Sequence, residues 1–540
     1  MTLLTTIGIY LFVILSGGMF VHLIWPEREI KILFFKFFLG IGVGLGFSSL
    51  FYFLYLFTFA GQRWFVFIQL AIFLVLLAFT IWKEKNLITL KPPSSAAGTP
   101  PKALSRTQIV LVGIAAVVFI VSLLGTGSYL LRRQQGDWDA WMMYNRAARF
   151  IYRDQIHWLE SFSRQMDPIF HADYPLLLAL NVTSGWETLG TESAYVQMIQ
   201  SALFALAALG IFVSALASLK SIGQAALGLI IFWGTPTLVN EGAREMADLP
   251  VAFFILATVI LIYFYFVYKK PTLIALAGLT AGLAAWTKNE GTLFVVGVVV
   301  ALVVAFMFGS EFINPLKPPS SAAGTPPRAN ENLVSSRLSA VFSQCRDFVV
   351  NFKNNFLPAL LRFSLGLVFP FAITIFFKLF LAPPSDVLRG TATAAQKILA
   401  ISRHLEILQF TGREFLNFGG WTNLIGIIPA LIIYFLLFRL PAAKELRPAY
   451  LVGITILAVQ LLGDYGVYLI TPYDLTWHLS YSIERIVLQI FPVIAFLILC
   501  ASRTPENIFD ESPKSSRSIP LRSDFDSNQP RRQETSDSRI

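Results

Sequence analysis

Long apolar runs separated by short polar breaks set the pattern of this chain. Mostly apolar stretches occupy 3–25, 34–60, 64–82, 107–131, 194–218, 222–240, 249–268, 272–287, 291–308, 358–382, 418–438, 449–470 and 485–501. Runs of roughly 18 or more such residues are long enough to cross a bilayer as helices, so the pattern predicts about thirteen spans. The first run has no basic n-region and no small-residue cleavage site, and it reads as a retained helix. The breaks divide the chain into N-terminal spans (1–82), a linker (83–106), a core (107–308) with a long loop at 132–193, and a second linker (309–357). C-terminal spans (358–501) with a loop at 383–417 follow, and then a polar tail (502–540). Both linkers contain LKPPSSAAGTPP, at Leu90–Pro101 and Leu316–Pro327. An identical pair in unrelated surroundings reads as a duplicated insertion, and its composition favours disorder. The mixed-charge tail is expected to be disordered as well.

Composition agrees with the pattern. The 540 residues are 55% hydrophobic and 14% charged, where soluble domains carry about 25% charged residues. The expected class is an all-α polytopic membrane protein. The net charge of +10 comes from Lys and Arg dispersed through short loops, which is a positive-inside bias rather than a nucleic-acid footprint. If 83–106 is cytoplasmic, alternation puts Lys220, Lys269, Lys270, the 309–357 linker, Arg439, Lys444, Arg447 and the tail on the same side. The opposite, external side receives the N-terminus and 136–175, 240–248, 287–291, 383–417 and 471–485. The unusual acid-containing clusters therefore share one face. Cys345 and Cys500 are far apart in sequence and are expected to be free thiols.

Four clusters on that face carry candidate chemistry. Asp137 and Asp139 flank Trp138, and a carboxylate at a membrane edge is a functional hypothesis by default. Either could act as a general base, and the indoles could anchor at the interface or stack on a sugar. Arg244 and Asp248 are four apart, a spacing that on a helix gives a shared face and an ordinary ion pair. Lys288 sits in a short polar turn before Glu290, suited either to capping a hairpin or to binding phosphate as a point charge, with Arg244 offering a planar fork. His478 and Arg485 lie in a polar run expected to end where the last span begins. There Arg485 would snorkel or meet an anion. His171, Asp173 and Tyr174 close the 136–175 loop. His171, Asp173 and the acids leave a divalent metal open, although no His/Cys spacing enforces one.

At these residues the chain resembles the GT-C class of membrane glycosyltransferases, which includes protein O-mannosyltransferases and lipid A aminoarabinose transferases. Trp138-Asp139-Ala140-Trp141 resembles the acidic motif after an early membrane helix, with Asp137 as the alternative acid. The Arg244–Pro250 stretch resembles the second acidic motif, and Gly282–Lys288 the Thr-Lys motif. Two departures stand out: three spans precede the one carrying the acidic loop, and Asn289 follows the Lys where Gly is common. The resemblance implies a GT-C-like bundle of about thirteen helices with short helices in external loops. It implies an inverting transfer of sugar from a polyprenyl-phosphate donor to an unidentified acceptor at the external face, in the plasma membrane. Asp139 (or Asp137) and Asp248 would be catalytic. Arg244, Lys288 and Arg485 would bind the donor phosphate, and His171, Asp173, Tyr174, His478 and Trp138 the substrate. No cofactor is firmly implied. A transporter or flippase of a lipid-linked precursor, or an inactive scaffold of the same fold, remain the rival readings.

Overall fold

The computed structural model describes residues 2–89, 103–163, 165, 170–308, 352–385, 394–420, 426–440 and 443–510. The duplicated segment, Cys345 and the tail beyond 510 lie outside them. Helices make up the fold. In chain order they are α1 (Thr2–Ile24), α2 (Ile30–Phe59), α3 (Phe65–Thr89), α4 (Arg106–Arg132), α5 (Asn145–Arg153), α6 (Leu177–Leu189) and α7 (Ala194–Leu219). Then come α8 (Ile222–Trp233), α9 (Pro236–Glu241), α10 (Asp248–Tyr268), α11 (Thr272–Thr287) and α12 (Asn289–Phe308). The C-terminal part contains α13 (Leu357–Phe376), α14 (Ala394–Leu399), α15 (Ile401–Asn417), α16 (Ile427–Phe438), α17 (Arg447–Ile470), α18 (Leu475–Ala501) and α19 (Pro505–Phe509).

Among the described residues ten helices are long and apolar enough to cross a membrane, and α8, α11 and α16 are shorter apolar helices. Three expected spans have different bounds. The 222–240 run is two helices, because Gly234-Thr235-Pro236 interrupts it and Pro236 opens α9. The 418–438 run is helical only from Ile427. The last span starts at Leu475, ten residues before the expected start, where Asp474 accepts a hydrogen bond from the Trp477 amide (2.8 Å) and caps the helix.

α10 is the centre of the bundle: nearly every residue of it is buried, and it packs against α7, α11, α17 and α18. α11 and α13 cross with backbones in contact. A Cβ at Gly278 would lie 1.9 Å from the Phe363 carbonyl oxygen, and one at Gly366 would lie 1.9 Å from that of Ala275. Small residues make such close crossings possible where lipid supplies no hydrophobic drive. At one end of the bundle Lys220 donates to the Cys500 carbonyl (3.1 Å) and Gln108 to Glu506 (3.0 Å). Residues 502–510, expected as the start of a disordered tail, thus fold back, and α19 packs on α4 and α8. Cys500 is buried and unbonded. The acid-containing segments gather at the opposite end. The 132–193 loop folds into the bundle there, since α6 is buried along nearly its whole length.

Candidate functional site

Two interlocked loops build the site. After α4 the chain turns at Gly136 (φ +70°), and a Cβ there would lie 2.4 Å from the Arg244 carbonyl oxygen. Only glycine allows this approach, and it lets the Asp137 amide donate to that carbonyl (3.2 Å). From the other side, Asn145 donates to Glu245 (3.2 Å), a buried residue held at φ +59°. A π-helical turn, Ala140–Tyr144, follows Asp139 directly. Such turns are often found at functional sites.

Asp137 and Asp139 have different partners. Asp137 accepts from Tyr129 (2.9 Å), Arg133 and Arg244, while Arg244 also bonds Glu241. Burial alone would raise the Asp137 carboxyl, but the bonds from Arg244, Tyr129 and Arg133 hold it below the usual carboxylate range. Arg244 therefore does not pair with Asp248 as the four-residue spacing suggested. Residues 242–247 are not helical, so the two side chains share no helix face.

Asp139 belongs to a second chain of charges. Its Oδ2 accepts from Arg485 Nη1 (2.6 Å). Arg485 also holds Asp248 Oδ2 through Nε (2.9 Å) and Nη2 (2.8 Å). Asp248 Oδ1 accepts from Lys288 Nζ and from Gln489 Nε2, both at 2.9 Å. Lys288 ends the chain at Glu290 Oε1 (2.7 Å). Burial would lower the Lys288 ammonium, but Asp248 and Glu290 raise it above its ordinary value. Asp248 is fully buried with both oxygens occupied, whereas the Asp139 side chain is 23% exposed.

The structure thus joins Asp139, Asp248, Lys288 and Arg485 from four separate segments. Asp173, buried, extends the cluster: it accepts from Asn289 (2.9 Å) and from Lys378 (3.4 Å). Tyr174 is an electrostatic neighbour of Glu290 and Arg485, and His171 packs on its ring at 5.0 Å. Trp138, 45% exposed, stands edge-on to Trp141. His478 stays apart from the chain, bonded to Thr471 (2.9 Å) among Tyr468, Tyr473 and Trp477. It precedes Arg485 by seven residues, about 10 Å along α18. Arg485 lies not at a helix start but about 15 Å into α18.

Sequence reasoning missed Gln489 and Asp464, and it gave Glu290, named in the Lys288 turn, no role of its own. Gln489 lies one turn beyond Arg485, and the two share a helix face even within the expected 485–501 span. Among the described residues no group of three or more His, Cys, Asp or Glu is placed to hold a metal ion. The carboxylates are bonded to Arg, Lys and amide groups instead.

An apolar cavity of about 510 Å³ opens between α15, α17 and α18, walled by Ile407, Phe415, Leu461, Tyr465, Ile486 and the buried Asp464. Asp464 is an electrostatic neighbour of Glu290 and Lys288, so the cavity wall lies near the Lys288–Glu290 end of the charge chain. In comparisons with protein-family models, curated proteins and solved structures, nothing matches this chain.

Proposed function

We propose that the chain is an integral-membrane inverting glycosyltransferase using a polyprenyl-phosphate sugar, with about thirteen spans in a GT-C-like arrangement and its site at the external face. The observation that carries this reading is the apolar cavity whose wall, through Asp464, neighbours the Lys288–Glu290 end of the charge chain joining Asp248, Arg485 and Asp139. It suits a ligand with a long apolar tail and an anionic head. In this reading Asp139 takes the proton of an acceptor hydroxyl and the freed oxygen attacks the anomeric carbon. The bond from that carbon to the phosphate oxygen breaks, and polyprenyl phosphate leaves with the electron pair. Lys288 and Arg485 stabilise the leaving charge. Asp248, with every position filled, orients those two cations. Arg244, tied to Asp137 and Glu241, braces the loop and is a weaker phosphate ligand than the sequence suggested.

One observation favours transport of a lipid-linked precursor: Arg485 and Asp464 lie inside spans, as transporter charges commonly do. A single experiment separates the readings. Purified protein is incubated with a panel of polyprenyl-phosphate sugars and candidate acceptors. A transferase releases polyprenyl phosphate, whereas a transporter moves the donor across a vesicle bilayer with its sugar still attached.

A further inference from the structure

Beside the charge chain, one largely buried cation, Arg146, has no acid partner among the described residues. Arg146 in α5 donates through Nε to the Met142 carbonyl (2.9 Å) and through Nη2 to that of Phe170 (3.3 Å). Its guanidinium lies 4.4 Å from the Phe170 ring centroid. Nη1 is buried with no hydrogen-bond partner. Burial with no compensating carboxylate pulls the guanidinium down to about 10. The Tyr144 hydroxyl, on a side chain 4% exposed, is likewise buried and unpartnered. Two unsatisfied donors this close to a functional site need an explanation.

Both residues line one pocket, together with Ser161, Phe162, His171 and Tyr174. Its unfilled space, part of it open to solvent, is about 310 Å³, of which only about 20 Å³ admits the centre of a water-sized group. Tyr144 and Tyr174 form the wall facing the charge chain. Asp248, Arg485, Asp139 and Glu290 are electrostatic neighbours of Tyr144. The pocket therefore adjoins the candidate site while remaining distinct from the chain of ion pairs.

The donor set selects the ligand class. One fixed positive charge with two free N–H groups on Nη1, plus a tyrosine O–H, complements a planar group with two acceptor oxygens and a single negative charge. A phosphate monoester would bring a second charge, and Arg146 is the only Lys or Arg among the lining residues. Aromatic walls suit the ring bearing the carboxylate, and the narrow space admits only its head. We propose that this pocket is a carboxylate subsite, and that the sugar handled beside it is a uronate, carried by the donor or by the acceptor. The inference rests on the transferase reading for its substrate, although the pocket can be tested without turnover.

Full-length protein in lipid nanodiscs is titrated with sodium glucuronate, glucose and inorganic phosphate. Glucuronate is expected to bind roughly ten- to a hundredfold more tightly than glucose, the range for hydrogen bonds to a charged group. Arg146→Gln and Tyr144→Phe should each remove most of that preference. Tyr144→Phe deletes only an unpartnered hydroxyl, so the unliganded variant should melt no lower than the wild type. Equal binding of glucuronate and glucose, tighter binding of phosphate than of glucuronate, or a preference unchanged in both variants overturns the proposal. Release of polyprenyl phosphate then separates the sources. Preference for a glucuronate donor over a glucose donor assigns the subsite to the donor, and preference for a glucuronate-terminated acceptor assigns it to the acceptor. If no donor is cleaved while the glucuronate preference survives and falls in both variants, the transferase reading fails and the subsite stands. Cleavage of neutral donors without any glucuronate binding gives the reverse.

Discussion

Asp137 and Asp139 sit on either side of one tryptophan, yet their carboxylates are held by different cations. Asp137 is enclosed by Tyr129, Arg133 and Arg244, and its side chain is 12% exposed. Asp139 touches one cation, Arg485, and its side chain is 23% exposed. A carboxylate with three donors is held ionised and is a poor proton acceptor. One with a single ion pair keeps lone pairs for an incoming hydroxyl. Proximity in sequence thus says little about role. The first acid locks the loop to the Arg244 turn, and the second, held by Arg485, ends a chain of charges that reaches Lys288.

Asp248 gives the largest test of that contrast. Its two oxygens are shared among Arg485, Lys288 and Gln489. Asp248→Asn would leave two buried cations short of one counter-charge, an imbalance that typically costs about 3–5 kcal/mol. Thermal unfolding in detergent should show a drop of that order. A loss below about 1 kcal/mol would mean that the chain does not depend on this hub.

Lys288 comes next. Lys288→Ala should reduce use of the lipid donor by about ten- to a hundredfold, the effect of one lost charge-assisted hydrogen bond. Lys288→Arg should restore only part of it, because a planar fork does not replace a compact ammonium. Initial rates against donor concentration measure both, and full rescue by Arg would rule out a point-charge role.

The smallest effect concerns the loop that holds Arg244. Burial raises the Glu245 carboxyl from its ordinary 4.5 to about 9. The folded state therefore binds a proton that the unfolded chain releases near pH 4.5. The stability from that proton is complete below pH 4.5 and is lost as pH rises toward 9. Glu245→Gln is neutral throughout, so its advantage over the wild type should grow above pH 4.5 by about 1.4 kcal/mol per pH unit, reaching about 2 kcal/mol near pH 6. Melting curves at several pH values check this, and a difference independent of pH would contradict it.

Much of the site could be read from residue types alone, because acids at span ends are rare enough to mark Asp139, Asp248 and the Lys288 turn. What was hidden depended on where helices begin. The run before Arg485 is polar enough to pass for a loop. Yet Leu475, Leu479, Ile483 and Val487 recur every four residues, and all four are buried. That stripe was the available sign that α18 starts at Leu475 and carries Arg485 and Gln489 inward. The break in the 222–240 run was likewise written in Gly234-Thr235-Pro236. By contrast, no local signal could announce that Arg244 prefers Asp137, 107 residues away, to Asp248. That choice follows from the crossing of two loops at Gly136. The amphipathic α15, which walls the apolar cavity, lay within an external loop for which only short helices were expected.

Asp139→Asn and Asp137→Asn, compared side by side in the polyprenyl phosphate release assay, test the central claim most directly. Both changes keep side-chain size and remove the charge. Asp139→Asn should lower turnover by about 10²–10⁴ while the melting temperature stays near that of the wild type. Asp137→Asn should mainly lower the melting temperature and keep turnover within about tenfold. The reverse pattern, an active Asp139→Asn beside a folded but inactive Asp137→Asn, would contradict the assignment.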